Sequence, residues 1–147
     1  TSIDMINSAL CLKLDYECFS TVDLLCIDLM TGICEFFKIG GSESIVLHGP
    51  NVETVFSVSL PVGMLPDIKV QGQAKRLDDG DIIIMMSDGI SEAGFGTVRT
   101  DWLKKEIKMP FDTMDEMAQS VIENAVKKSR DAVIDDMTVA TIRLIRN

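Results

Sequence analysis

From Ser20 to Met86 the apolar residues recur at period two, in runs rich in β-branched and aromatic side chains that are broken at short intervals by turn residues. That rhythm is what pleated strands present, and it points to an antiparallel sheet whose strands meander in sequence order. Strands are expected from Thr21 to Leu29, Ile33 to Ile39, Ser44 to His48, Val52 to Val58, Ile68 to Leu77 and Ile82 to Met86. Thr31-Gly32 reads as a hairpin turn, as do Gly49-Pro50-Asn51 and Asp78-Asp79-Gly80. The run Ile82 to Met86 is unbroken and apolar, too short for a helix, and fits a strand buried on both faces. Ser87-Asp88-Gly89 ends it.

Helical spacing brackets these strands. Ile3, Ile6, Leu10 and Leu14 fall on one helix face at the chain start. Only Thr1 and Ser2 could cap that helix and its stripe needs a partner, so a chain cut from a longer protein is expected. Trp102, Leu103 and Ile107 define a short helix. Thr113 and Glu116 have capping-box spacing ahead of the broad apolar stripe of Met114, Met117, Ala118, Val121, Ile122, Ala125 and Val126. Met137 to Ile145 alternates as a last strand, entered through Ile134-Asp135-Asp136. The layout is α+β with a largely antiparallel sheet, and 147 residues suit a single domain.

Charge narrows the partners. Fourteen Lys and Arg against 23 Asp and Glu give −9, which offers nothing to a nucleic-acid backbone or an anionic membrane surface. No apolar run approaches the roughly 20 residues of a spanning helix, and no secretion signal opens the chain. Cys11, Cys18, Cys26 and Cys34 show no Cys-x-x-Cys spacing, which reads as an intracellular chain without disulfides. His48, the single histidine, stands at a turn and reads as a surface residue. Met85, Met86, Met114 and Met117 read as core filling.

Chemistry concentrates at two acidic strand ends, Asp88 after one apolar strand and Asp135-Asp136 before another. Should neighbouring strands bring Asp88 and Asp135 to about 4 Å, their repulsion at an effective dielectric near 20 is about 4 kcal/mol. Such a pair needs a proton, a basic partner or a cation, and no Lys or Arg is adjacent in sequence. Oxygen-only ligands favour a hard ion, Mg²⁺ or Mn²⁺. The plainer alternative makes Asp88-Gly89 a turn and Asp135 a strand entry.

The ordered strings "FSTVDLLCIDLMTG" (19–32), "FFKIGGSESIVLHG" (37–49), "LPVGM" (60–64), "DGDIIIMMSDGISEA" (79–93) and "DDMTVATIRL" (135–144) resemble the later two thirds of a PPM-type (type 2C) metal-dependent serine/threonine phosphatase domain. More narrowly they resemble the phosphatase domain of the stage II sporulation protein E family. The resemblance implies a largely antiparallel β-sandwich flanked by helices that hydrolyses phosphoserine or phosphothreonine at a two-metal centre holding Mn²⁺ or Mg²⁺. Asp88 matches the metal-binding aspartate of the family's "SDG" motif, which also contains Gly89. Asp135 matches the first position of its "D-[ND]-M-[ST]" motif, also a ligand. Asp136, where many members carry asparagine, supports the ligands from behind. The substrate so implied is a phosphoserine protein, in the sporulation system an anti-anti-sigma factor. The domain is expected in the cytoplasm, in a protein anchored by membrane segments outside this chain. "LPVG" is implied to bear on regulation.

One departure carries weight. The family places an Asp-Gly motif on an early strand, yet none of Asp4, Asp15, Asp23 and Asp28 is followed by glycine. The 147 residues alone are therefore expected to be inactive or nearly so and to bind Mn²⁺ weakly. An uncovered sheet edge is further expected to drive a homodimer or strand exchange. The rival function is a noncatalytic interaction module on the same fold.

Overall fold

A computed structural model describes residues 2–12, 18–70, 72–93, 101–129 and 135–146. The chain divides into two units, Thr1–Gly41 with Val55–Arg76, and Ser42–Thr54 with Leu77–Asn147.

The first unit holds helix α1 (Ser2–Cys11) and an antiparallel three-stranded sheet of β1 (Val22–Ile27), β2 (Ile33–Ile39) and β5 (Gly72–Arg76), in the order β1-β2-β5. The β1–β2 hairpin turns where expected. There the Asp28 carboxylate accepts from the Met30 N–H at 2.9 Å and the Thr31 hydroxyl at 2.7 Å, with the Thr31 bond foremost in holding it below the usual carboxylate range. Asp23 and Lys38 are cross-strand partners and form an ion pair, with Lys38 only 2% exposed. A lysine buried this far has to be paired, and no local pattern announced it.

Helix α1 is anchored by a polar residue, against expectation. Ile6 is 49% exposed, and the buried position is Asn7. The Asn7 amide donates to the carbonyls of Leu65 and Pro66 at 2.9 and 2.8 Å, and its oxygen accepts from the Gly63 N–H at 2.7 Å. A buried amide with three partners outweighs the apolar stripe, because leaving those backbone groups unpaired costs more than exposing one isoleucine. Gly63, at φ 90°, can only be glycine: a Cβ there would lie 2.3 Å from the Cys18 carbonyl oxygen. Leu14, the fourth residue of the expected stripe, lies outside the described residues.

The second unit holds the antiparallel sheet β4-β3-β6-β7, built from β3 (Ser44–His48), β4 (Asn51–Val55), β6 (Ile82–Met86) and β7 (Val139–Arg143). Helices α2 (Asp88–Ser91), α3 (Asp101–Glu106) and α4 (Met114–Lys128) complete it. Its core joins Ile45, Leu47, Ile82, Ile84 and Met86 of the sheet to Leu103, Ile107, Met117, Val121 and Ala125 of the helical segment. Each such large aliphatic side chain contributes about 1.5–3 kcal/mol by leaving water. The capping box at Thr113 and Glu116 is present in both directions. Lys128 sits over the Trp102 ring at 5.7 Å from its centroid.

The α+β class is as expected, with two antiparallel sheets and four helices among the described residues. The single sequential meander is not. β5 leaves β4 to pair with β2, and β6 pairs with β3 and β7. Alternation fixes strand existence and says nothing of long-range partners. Several expected strands shorten, the first from Thr21–Leu29 to Val22–Ile27. His48 is also not a free surface residue: its Nδ1 lies 2.7 Å from Oδ2 of Asp81, which is 6% exposed.

Candidate metal centre

The site grows from the junction of β6 and β7. These strands run antiparallel with Met86 opposite Val139, so the end of one lies beside the start of the other. Beyond Met86, Ser87 stitches the two segments together. Its N–H donates to the Thr138 carbonyl at 2.9 Å, its hydroxyl donates to the Asp136 carbonyl at 2.8 Å, and the Thr138 N–H donates to that hydroxyl at 2.9 Å. Asp88 follows and opens α2, where the plainer alternative had a turn.

Gly89 closes the junction. It is buried, and a Cβ placed on it would stand 2.6 Å from the Asp136 carbonyl oxygen and 3.0 Å from that of Asp135. Main chain therefore lies against main chain, and only a residue without a side chain permits it. The two acidic segments singled out in the sequence, some fifty residues apart in the chain, are neighbours here.

Both carboxylates are oriented in the same way. Asp88 Oδ1 accepts from the Gly89 N–H at 3.0 Å, and Asp135 Oδ1 from the Asp136 N–H at 2.8 Å. Asp88, Asp135 and Asp136 are all exposed, and Oδ2 of Asp88 and of Asp135 has no hydrogen-bond partner among the described residues. Carboxylate oxygens are hard donors, which suit Mg²⁺ or Mn²⁺ better than a softer metal. Among the described residues no group of three or more His, Cys, Asp or Glu side chains could hold a metal ion, so the donor set fits such an ion in part. Ser87 escaped the sequence reading as a site residue. A hydroxyl directly before an acidic strand end was the available signal.

A family model for the stage II sporulation protein E matches residues 1–145. The chain belongs to the stage II sporulation protein E family. It is 34% identical to the stage II sporulation protein E of Bacillus subtilis (strain 168) over 148 residues, covering 99% of this chain and 18% of that protein. Among solved structures it is similar to the PP2C phosphatase domain with a fragment of the regulatory domain of SpoIIE from Bacillus subtilis, at TM-score 0.87 and 35% identity, covering 99% of this chain and 43% of that one. It is also similar to a Mn-presoaked phosphatase domain of the same SpoIIE, at TM-score 0.77 and 33% identity, covering 99% and 66%. The chain thus spans less than a fifth of that curated relative's length and has the fold of a PP2C-type phosphatase domain. In this chain Asp88-Gly89 follows the end of β6 and Asp135-Asp136 precedes the start of β7.

Proposed function

We propose that this chain is the C-terminal part of a metal-dependent protein serine/threonine phosphatase domain that acts on a phosphoserine protein. Asp88 and Asp135 supply carboxylate oxygens to Mn²⁺ or Mg²⁺, and Gly89 and Asp136 hold those ligands in place. The observation that carries this reading is the closure of Gly89 on the carbonyls of Asp135 and Asp136, in a member of the stage II sporulation protein E family.

When bound, a pair of hard divalent ions offsets phosphate charge and makes a water acidic enough to act as hydroxide. The chain's own residues do the positioning. The N–H groups of Gly89 and Asp136 hold Oδ1 of Asp88 and Asp135, which leaves Oδ2 of each without a hydrogen-bond partner among the described residues. Ser87 ties the segments together and resists their separation under charge repulsion. No side-chain nucleophile is needed.

Two carboxylates without a third metal-ligating side chain among the described residues support the further reading that the 147 residues alone turn over little substrate and bind Mn²⁺ weakly. That also keeps a noncatalytic interaction module as the rival. The substrate we favour is a phosphorylated anti-anti-sigma factor. We place the segment in the cytoplasm, within a protein anchored by membrane segments outside it; no helix among the described residues is long and apolar enough to cross a membrane. Homodimerisation through a sheet edge belongs to the same proposal.

The test replaces Asp88 or Asp135 by Ala in the full-length protein and follows phosphate release from a phosphoserine protein. Loss of release in both variants supports the assignment, and unchanged hydrolysis in either removes it.

A further inference from the structure

At the end of the β4-β3-β6-β7 sheet opposite the acids lies a cavity of about 480 Å³ with no part in the chemistry above. It opens where β6 begins and β7 ends, at Ile82 and its cross-strand partner Arg143. About 13 Å of strand separates Ile82 from Met86, beyond which Asp88 stands. A volume of that size is in the range of pockets that take a side chain or a small ligand.

The walls are apolar and adaptable. Ile107 and Met117 are buried behind the cavity, Phe111 is half-buried, and Met109 is 58% exposed at its mouth. Methionine walls adjust to ligands of differing shape. The rim is cationic: Lys108 and Arg143 both line the cavity, both are exposed, and neither has an acidic partner among the described residues. The acids Glu106, Asp112 and Glu116 are not in the lining; the Glu106 carboxylate accepts from the Ser120 hydroxyl, and the Glu116 carboxylate is held by the N–H groups of Asp112 and Thr113. In a chain of charge −9, an apolar slot flanked by two such cations is selective for a ligand of opposite sign.

We propose that this cavity is a docking slot for an acidic peptide segment, which inserts one bulky apolar side chain against Ile107, Met109 and Met117 while its carboxylates meet Lys108 and Arg143. The slot is remote from the acids at the other sheet end, so it selects a partner without touching the reacting groups. Its occupancy is read by binding alone and does not depend on the phosphatase reading.

The probe is a short fluorescent peptide with a central phenylalanine flanked by glutamates, titrated with the full chain and followed by anisotropy. Binding is expected to weaken as salt rises. Replacing Lys108→Glu and Arg143→Glu together is expected to weaken it about tenfold or more, and Met109→Ser to weaken it without changing rim charge. Arg143→Gln gives a smaller loss and guards against misfolding of the double variant, with circular dichroism confirming each fold. Equal binding of a lysine-flanked peptide, unchanged affinity in the rim variants, or no binding at all would overturn the proposal. So would decanoate binding at the slot where the acidic peptide does not, which would make it a site for small apolar acids.

Discussion

Gly89 lies so close to Asp136 that a Cβ at position 89 would stand 2.6 Å from the Asp136 carbonyl oxygen. This contact brings the two acidic segments together. Gly89→Ala is expected to lower stability by about 1–3 kcal/mol, because two backbone carbonyls have to retreat. Urea unfolding reads the loss, and phosphate release by the full-length protein should fall with it. An alanine variant of unchanged stability would mean that the segments are not held in contact.

Asn7 carries the corresponding load in the first unit. Asn7→Leu would leave the Gly63 N–H and the carbonyls of Leu65 and Pro66 without their partner. A loss of about 2–3 kcal/mol in unfolding free energy is expected, larger than for Ile6→Asn on the exposed face of the same helix. Equal effects at the two positions would show that the apolar stripe anchors the helix after all.

Cysteine chemistry separates two residues of one hairpin. Burial pushes the Cys34 thiol up, so less of it is thiolate at any given pH, whereas Cys26 is exposed. Iodoacetamide with mass spectrometry at mildly alkaline pH should label Cys26 well before Cys34. Labelling of Cys34 should wait for unfolding, and equal rates would contradict its burial.

The Asp28 turn has a pH dependence of known sign. Its carboxyl titrates lower in the folded chain than in the unfolded one, chiefly through the Thr31 hydroxyl and then the Met30 N–H. The stabilisation is therefore present above the ordinary carboxylate pKa and is lost as pH falls through the lowered folded value. NMR titration should find Asp28 below the usual range and find it moved up by Thr31→Val. No movement would remove the hydroxyl as the cause.

What the sequence disclosed was local. The strand Ile82–Met86 and the Thr113 capping box match their signals because both are decided within a few neighbouring residues. The sheet order was hidden because the partner of β2 is β5, well over thirty residues along the chain, and alternation carries no record of pairing. Asn7 was hidden for the same reason, its partners lying 56 to 59 residues away. At the candidate site, Asp88 and Asp135 were legible as acids at the ends of apolar strands. The bracing by Ser87 and the closure by Gly89 were not, since both depend on main-chain atoms across the junction.

The most direct measurement is anomalous scattering at the manganese edge from a Mn²⁺-soaked crystal of the full-length protein or its complete phosphatase domain. The account expects a manganese peak bonded to carboxylate oxygens of both Asp88 and Asp135. A peak bonded to neither, or carboxylates turned to opposite sides with the metal elsewhere, would contradict it.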